Sequence, residues 1–376
     1  MLSTIVFWAF VGWAVIQVLY AVFLFLRFFR LPAHNETIEP ARMQGVSIVI
    51  CAKNEADNLR KHLPGILTQN YSHNNSLLYE VIVVNDCSDD TTHEVLASLQ
   101  MQYPHLREII ITPDTQRTVV GKKFALSTGV TNTTHNWILL TDADCEPASD
   151  SWLAKMVAPL AQGKEIVAGY AAHKPAPGLL NKFIRWETTH TFLQLSTYAM
   201  IGKPYLAIGR NLACTKAVCL RAYNSPLWTA GPTGDDDLLV KESATKENMA
   251  LVTDPSARTC SIARESFSTW RKQKQRHTSD GKHYHPAVQV LLSLYGISQA
   301  AVWVYFVYLV FTPYWQVAAI ILLVRCLIYW LLWAGVANRL KEKNIIYLLP
   351  LFDIGWMLYN FAFLPYILQK NKQHWT

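Results

Sequence analysis

Ile138-Leu-Leu-Thr-Asp-Ala-Asp-Cys145 runs four residues of buried-strand character straight into two aspartates spaced i, i+2. Side chains at that spacing on an extended segment point the same way. Asp142 and Asp144 can therefore converge on one hard cation, magnesium or manganese, at the end of a strand. A cation held there would serve a phosphate. Alone, the pattern more often marks an ordinary strand-end turn, so the remaining residues must decide. A second acidic group is Thr233-Gly-Asp-Asp-Asp-Leu238. A carboxylate beside two others is held above its usual pKa by like-charge repulsion, which suits a general base; the plainer reading is an acidic helix start capped by Thr233. A third group is Trp270-Arg-Lys-Gln-Lys-Gln-Arg-His277, where Gln273, Arg276 and His277 share one face of a helix. An arginine so placed can clasp a diphosphate in fork geometry, and the same segment reads as a basic amphipathic helix on a membrane surface.

The elements that must position these groups alternate. Strands are expected at Val46–Ile50, Glu80–Val84, Arg107–Thr112 and Asn136–Leu140, and helices at Glu55–Leu67, Thr91–Met101 and Lys122–Val130. Strand and helix in turn predict a mostly parallel sheet with helices on both faces. Ligands of such sheets sit beyond the carboxyl ends of the strands, where Lys53-Asn-Glu55, Asn85-Asp86 and Asp142-Ala-Asp144 all fall. No G-x-G-x-x-G and no G-x-x-x-x-G-K-[ST] is present, so neither a dinucleotide fingerprint nor a P-loop is supported.

The chain has 376 residues, enough for a sizeable domain and something more. Ile5–Leu26 is an almost unbroken apolar run closed by Arg27 and Arg30. It is long enough to cross a bilayer, lacks basic residues before it and a small-residue cleavage site, and is expected to be a retained anchor. Val288–Phe311, Trp315–Ala337 and Ile345–Leu368 are further candidate spans, whereas nothing between Gly45 and His285 looks membrane-spanning. The expected organisation is an anchor over 1–30, a domain over 45–285 with an interfacial basic helix near 265–285, and a membrane region over 288–368. Basic residues after the first span, before Ala287 and at Arg339, Lys341 and Lys343 place the domain on the cytoplasmic side. Pro350, Asp353 and Pro365, with Lys370 and Lys372 beyond them, leave a re-entrant or interfacial course open for the last segment. The net charge of +7 suits a face near anionic headgroups and does not require nucleic acid. Seven cysteines, without C-x-x-C or zinc-ligand spacing, read as reduced structural thiols. Asn35, Asn70, Asn74 and Asn132 match a glycosylation pattern that a cytoplasmic domain would never present to the machinery.

Val46-Ser-Ile-Val-Ile-Cys-Ala-Lys-Asn-Glu55, Glu80-Val-Ile-Val-Val-Asn-Asp-Cys-Ser-Asp-Asp-Thr91, Gly121-Lys-Lys-Phe-Ala-Leu126 and Thr141-Asp-Ala-Asp144 together resemble the nucleotide-binding half of family-2 inverting glycosyltransferases of the GT-A fold, over nearly a hundred residues. The resemblance implies an α/β GT-A-type domain with a Rossmann-like half, one N-terminal and about three C-terminal transmembrane helices. It implies that Ala52 and Glu55 line the nucleoside pocket, that Asp86 bonds the base, that Lys122 approaches the diphosphate, and that Asp142 and Asp144 hold the donor through Mn2+ or Mg2+. Thr233-Gly-Asp-Asp-Asp-Leu238 resembles the family's Glu-Asp-x-Asp-Leu motif, with Asp235 as catalytic base and Asp237 as the later, acceptor-side acid. Gly234 stands where glutamate is usual, so Asp236 competes for the role. Gln273-x-x-Arg276-His277 resembles the Gln-x-x-Arg-Trp motif of membrane-bound synthases, with histidine replacing the stacking tryptophan. Gly209-Arg-Asn-Leu-Ala213 sits where the family carries a Gly-x-Asn loop, which assigns Arg210 and Asn211 to the acceptor side. His173, His190, His283 and His285 receive no role.

The implied protein is an integral-membrane, metal-dependent inverting glycosyltransferase, its donor a nucleotide sugar of UDP type and its acceptor a membrane lipid or glycan. Ceramide and related lipid glucosyltransferases are the nearest kind by resemblance. A processive polysaccharide synthase is an alternative, for which four helices in one chain are few unless subunits associate. A catalytically silent membrane scaffold is another, supported only by Gly234 and His277.

Overall fold

A computed structural model describes residues 1–33, 38–229, 235–278, 284–363 and 365, and the side chains of all these except 40, 235, 236, 276–278 and 343. In chain order the elements are α1 (Leu2–Leu19), β1 (Val46–Ala52), α2 (Ala56–Leu67), β2 (Ser72–His73), β3 (Ser76–Leu77), β4 (Tyr79–Asp86), α3 (Thr92–Gln102), β5 (Leu106–Ile111), α4 (Lys122–Thr131), β6 (Trp137–Asp142) and β7 (Glu146–Pro147). There follow α5 (Trp152–Ala161), β8 (Ile166–Gly169), β9 (Ala171–His173), α6 (Leu179–Met200), β10 (Leu212–Thr215), α7 (Lys216–Tyr223), α8 (Asp235–Ser243), β11 (Met249–Val252), β12 (Thr259–Ser261), α9 (Phe267–Thr278), α10 (Pro286–Leu309), α11 (Trp315–Arg339) and α12 (Leu349–Phe363). The chain divides into two compact units, one of Met1–Leu31, Pro175–Ile201 and Glu265–Gln369, the other of Pro32–Lys174, Gly202–Arg264 and Lys370–Thr376.

The second unit is built on a seven-stranded sheet of order β11-β8-β10-β6-β1-β4-β5. β1 runs parallel to β4 and β6, β4 to β5, and β8 to β11; only β10 is antiparallel to its neighbours. Every residue of β1 and β4 is buried, which is why these strands read as continuous apolar runs rather than alternating ones. α4 lies close against the sheet at Gly129, where a Cβ would come within 2.6 Å of Val49 and 2.8 Å of Val84. The seven expected elements of this half all form, within two residues of their expected bounds, and the strands run further toward the acidic groups: β4 continues through Asn85 and Asp86, and β6 through Asp142.

Asp254 ties α5 to the segment after β11. It accepts from the Ser256 backbone N at 2.9 Å and lies 2.7 Å from Lys155 Nζ. Burial alone would raise its pKa, but the bonds from Lys155 and Ser256 outweigh burial and bring it to about 2. A carboxylate depressed in the folded state stabilises above its unfolded pKa of about 4 and loses that contribution as pH falls toward 2. Asp254→Asn is therefore expected to cost about 2 kcal/mol at pH 7. In circular-dichroism melts its deficit against the parent chain should shrink steadily below pH 4.

Among the described residues, the first unit holds four helices long and apolar enough to cross a membrane: Leu2–Arg30, Pro286–Leu309, Trp315–Arg339 and Asn344–Phe363. The last forms a helical segment through Asp353; its expected end at Leu368 lies outside the described residues. Asp353 is tolerated there because its charge is met. It pairs with Arg325, which is 1% exposed, and accepts from Gln299 Nε2 at 2.8 Å and Trp303 Nε1 at 2.9 Å. Arg325 Nη2 donates to Gln17 Oε1 at 2.8 Å, and Gln17 Nε2 donates to Ser298 Oγ at 2.7 Å, so the network links α1, α10, α11 and α12. A charge in an apolar span is costly unless so paired.

α6 and α9 cluster with the apolar helices, not with the sheet. Arg185 of α6 pairs with Glu342, both buried, and Glu187 lies 2.6 Å from Lys274 of α9. Trp186 meets the rings of Trp333, Phe352 and Trp356 at 5.7–5.8 Å, and Trp270 of α9 meets Tyr359 and Phe363. α6 escaped the hydropathy reading because it is buried on nearly all sides while carrying Asn, Lys, Arg, Glu and four Thr.

Candidate active site

Strand register brings the site together. Cys51 of β1 pairs with Asp142 of β6, and Ala52 with Asn85 of β4, so Ala52, Asp86 and Asp142 stand along one carboxyl edge of the parallel sheet. The loops beyond that edge are laced to each other. The Asn54 backbone N donates to Ser88 Oγ at 2.9 Å, the Glu55 N to Thr92 Oγ1 at 3.1 Å, and the Asp89 N to Asn54 Oδ1 at 2.9 Å. Asn54 holds φ at +56°, a left-handed conformation that asparagine tolerates and that turns the chain from β1 into α2.

Asp142 ends β6 and Asp144 follows in a turn closed by the Cys145 N donating to the Asp142 carbonyl at 3.1 Å. Lys122, the first residue of α4, places its Nζ 2.5 Å from Asp142 Oδ1; Gly121 before it, at φ +71°, makes the turn into the helix. Burial and then the Asp142 charge raise the pKa of Asp144, while Arg210 and Lys122 pull it down. Burial likewise raises Glu55, reinforced by Asp144 and Asp142 and opposed by the Asn58 amide and Arg264. Three acidic groups thus share one field of negative potential. A small cleft, with Cys51, Lys122, Leu126, Thr141, Asp142 and Gly209 on its walls, opens there. The donor set fits a divalent cation: two carboxylates at i, i+2, one of them disfavoured as a bare anion by its surroundings. Among the described residues there is no cluster of three protein ligands, so phosphate oxygens of a bound nucleotide would have to complete the shell.

Asp86 is 1% exposed, and both its oxygens are engaged by Arg117, with one bond of 3.1 Å. Arg117 also donates to Cys87 Sγ at 3.2 Å and lies 5.4 Å from the centroid of the Phe124 ring. Sequence reading missed Arg117, which sits between β5 and α4 in a segment without periodicity. A basic residue a few positions before Gly121-Lys122 was the available signal.

Three expected residues need comment. The Ala52 side chain is fully buried, so only its backbone can line a pocket. Arg210 is half-buried, donates to Ser261 Oγ and to the Ala171 carbonyl at 3.3 Å, and its charge lowers the pKa of Asp144. Asn211 is fully buried, accepts from Trp152 Nε1 at 2.9 Å and donates to the Tyr170 and Ala257 carbonyls at 3.0 Å each, bonds that tie its loop in place.

Asp235, Asp236 and Asp237 open α8, anchored by buried Leu238, Leu239 and Val240. Asp237 is half-buried and, after burial itself, helps to push up the Tyr205 phenol. Gly234 and the side chains of Asp235 and Asp236 lie outside what is described. Gln273, half-buried, and the backbone of Arg276 and His277 lie on α9 in the apolar unit, and the side chains of the latter two are likewise not described.

Comparison with known proteins follows the same lines. Residues 47–210 match the family described as Glycosyl transferase family 2. Among curated relatives, Glycosyltransferase AglE of Haloferax volcanii is 32% identical over 125 residues, covering 33% of this chain and 38% of that protein. Beta-monoglucosyldiacylglycerol synthase of Trichormus variabilis is 31% identical over 140 residues, covering 37% of this chain and 28% of that protein. The matches thus span less than half the length of these relatives. Among solved structures, mannosyltransferase PcManGT from Pyrobaculum calidifontis, in complex with GDP-Man and Mn2+, superposes with a TM-score of 0.57 at 16% identity, over 95% of this chain and 98% of that one. At such identity the likeness speaks for the fold.

Proposed function

We propose that the chain, whose residues 47–210 match the Glycosyl transferase family 2 model on a GT-A-like fold, moves a sugar, with inversion, from a nucleotide sugar of UDP type to a lipid acceptor at a membrane, its domain facing the cytoplasm. The observation that carries this reading is the gathering of Asp86, Lys122, Asp142 and Asp144 along one carboxyl edge of the sheet. The four apolar helices and the diacylglycerol named in a relative support a lipid acceptor.

In this mechanism Asp235 accepts the proton of the acceptor hydroxyl while that oxygen attacks the anomeric carbon and the bond to the diphosphate breaks. Lys122 and, by its motif, Arg276 meet the charge that builds on the departing nucleoside diphosphate. Asp142 and Asp144 would hold a divalent cation, which supplies further neutralisation of that diphosphate when bound. Asp86, with Arg117 fixing its orientation, bonds the base edge. Glu55 and the Ala52 backbone line the nucleoside pocket, and Arg210 and Asp237 face the acceptor side, with Gln273 and His277 beside Arg276.

Arg117→Ala is expected to raise the donor KM about tenfold with little change in kcat, because the contact is remote from the reacting carbon. Steady-state rates at varied donor concentration read the split. The reading as a whole is tested by titrating the purified chain with UDP, GDP and CDP in the presence and absence of Mn2+. Tight, Mn2+-dependent binding of UDP that weakens in Asp86→Ala is the expected result. Indifference to all three nucleotides would remove the proposal.

A further inference from the structure

Sequence motifs leave His173 without a role, yet the fold brings it against Arg210. β9 and β12 run parallel, and their register sets His173 beside Ser261 at the carboxyl ends of the two strands. Arg210 lays its guanidinium across both ends. Its Nη2 donates to the Ala171 carbonyl at 3.3 Å and to His173 Nε2 at 3.4 Å, and its Nη1 to Ser261 Oγ and to the Ala172 carbonyl at 3.5 Å. The Arg210 backbone is pinned as well, its carbonyl accepting from Thr141 Oγ1 and Thr259 Oγ1 at 3.0 Å each. Thr141 precedes Asp142 in β6, so the arginine is tied to the strand that leads into the acidic pair.

The bond to Nε2 defines the state of the histidine. A guanidinium has donors only, so Nε2 must accept, and the ring is neutral with its proton on Nδ1. That proton faces Ser261 Oγ at 3.2 Å. Buried Ser261 thus accepts from the histidine and from the arginine, and the three side chains close a cycle of hydrogen bonds. An arginine fixed in this way before any substrate arrives needs no reorganisation when charge develops near it. Its charge already reaches Asp144, opposing the burial and the Asp142 carboxylate that raise the pKa there.

We infer that His173 is a positioning residue of the transfer site: its Nε2 lone pair, together with Ser261, holds the Arg210 guanidinium on the carboxyl ends of β9 and β12, where that charge serves the acceptor side of the acidic pair. This rests on the transferase reading of the site and adds to it a residue that acts through Arg210 alone. His173→Ala removes the acceptor and frees one side of the guanidinium. It is expected to lower kcat about tenfold while UDP and Mn2+ bind within about twofold of the parent, because Asp86, Lys122 and Asp142 are untouched. His173→Gln, whose Oε1 can accept in place of Nε2, should recover most of the rate. Ser261→Ala, which fits the same buried space, should lose about as much as His173→Ala.

The test uses the full chain in native lipid, with initial rates of transfer from radiolabelled UDP-sugars and calorimetry with UDP and Mn2+. A second readout needs no substrate. Phenylglyoxal reacts slowly with an arginine held by acceptors, so peptide mass mapping should show modification at Arg210 roughly fivefold faster in His173→Ala than in the parent, and parent-like in His173→Gln. Ser261→Ala is read in the same two ways should His173→Ala fail to fold. Equal Arg210 reactivity in the parent and His173→Ala, or transfer as slow in His173→Gln as in His173→Ala, would overturn the inference. Faster modification in His173→Ala of a chain that transfers no sugar from any donor would uphold His173 as the holder of Arg210 and count against the transferase reading. Undiminished transfer in His173→Ala would do the reverse.

Discussion

Asp144→Asn is expected to lower sugar transfer about a thousandfold, the scale on which a divalent cation stabilises charge on a leaving diphosphate. Asp144 lies two residues beyond Asp142, which lines the cleft, and its surroundings resist a bare carboxylate through burial and the Asp142 charge. A cation relieves both. The asparagine is close in shape but supplies no charge, so the fold should be kept while Mn2+-dependent binding of the nucleotide is lost. Calorimetry with UDP and Mn2+ measures the binding and initial rates measure the transfer. Lys122 already contacts Asp142 at 2.5 Å, so a Lys122→Ala variant should lose less, with cation affinity at Asp142 rising as its competitor is removed. Full Mn2+-dependent activity in Asp144→Asn would show that the two aspartates serve the turn alone.

Asp235→Asn carries the second large effect. If its carboxylate takes the proton from the acceptor hydroxyl, kcat should fall between about a hundredfold and ten-thousandfold while donor affinity stays put. Asp236→Asn should cost less than about tenfold, for consecutive residues at a helix start diverge by roughly 100° and cannot both face one hydroxyl. The pair of variants settles the register that Gly234 leaves open in the motif. Reversed magnitudes would move the base to Asp236 and leave the rest of the mechanism intact. Equal and small losses would show that the acidic triplet is a solvated helix start.

The nucleotide half of the fold was legible because its strands are buried on both faces and its helices begin at recognisable turns. Val46–Ala52 and Tyr79–Asp86 have no polar face to obscure the pattern, and the acidic groups mark where each strand ends. The four candidate spans were legible by length and apolarity alone. What escaped was organisation that depends on three dimensions. α6 has neither a long apolar run nor a clear polar face, and its partners come from residues more than a hundred positions away, as in Arg185 with Glu342. Arg117 stands in an aperiodic segment and gains meaning only when β4 and α4 bring it to Asp86. Asn211 was read from a motif as an acceptor ligand. Its amide is buried and bonded to Trp152, Tyr170 and Ala257, contacts that motif spacing does not reveal. Asp353 looked like a reason to doubt a span, and its pairing with Arg325 removes that reason.

The account stands or falls on transfer of a sugar to a lipid. The decisive measurement gives the purified chain, in native lipid with manganese, a panel of radiolabelled UDP-sugars and GDP-mannose, then extracts and sizes the product. One discrete labelled species in the organic phase, formed from a UDP-sugar and lost in Asp235→Asn, is the predicted result. Label confined to long water-soluble chains, or no label from any donor when diacylglycerol is supplied, would contradict it.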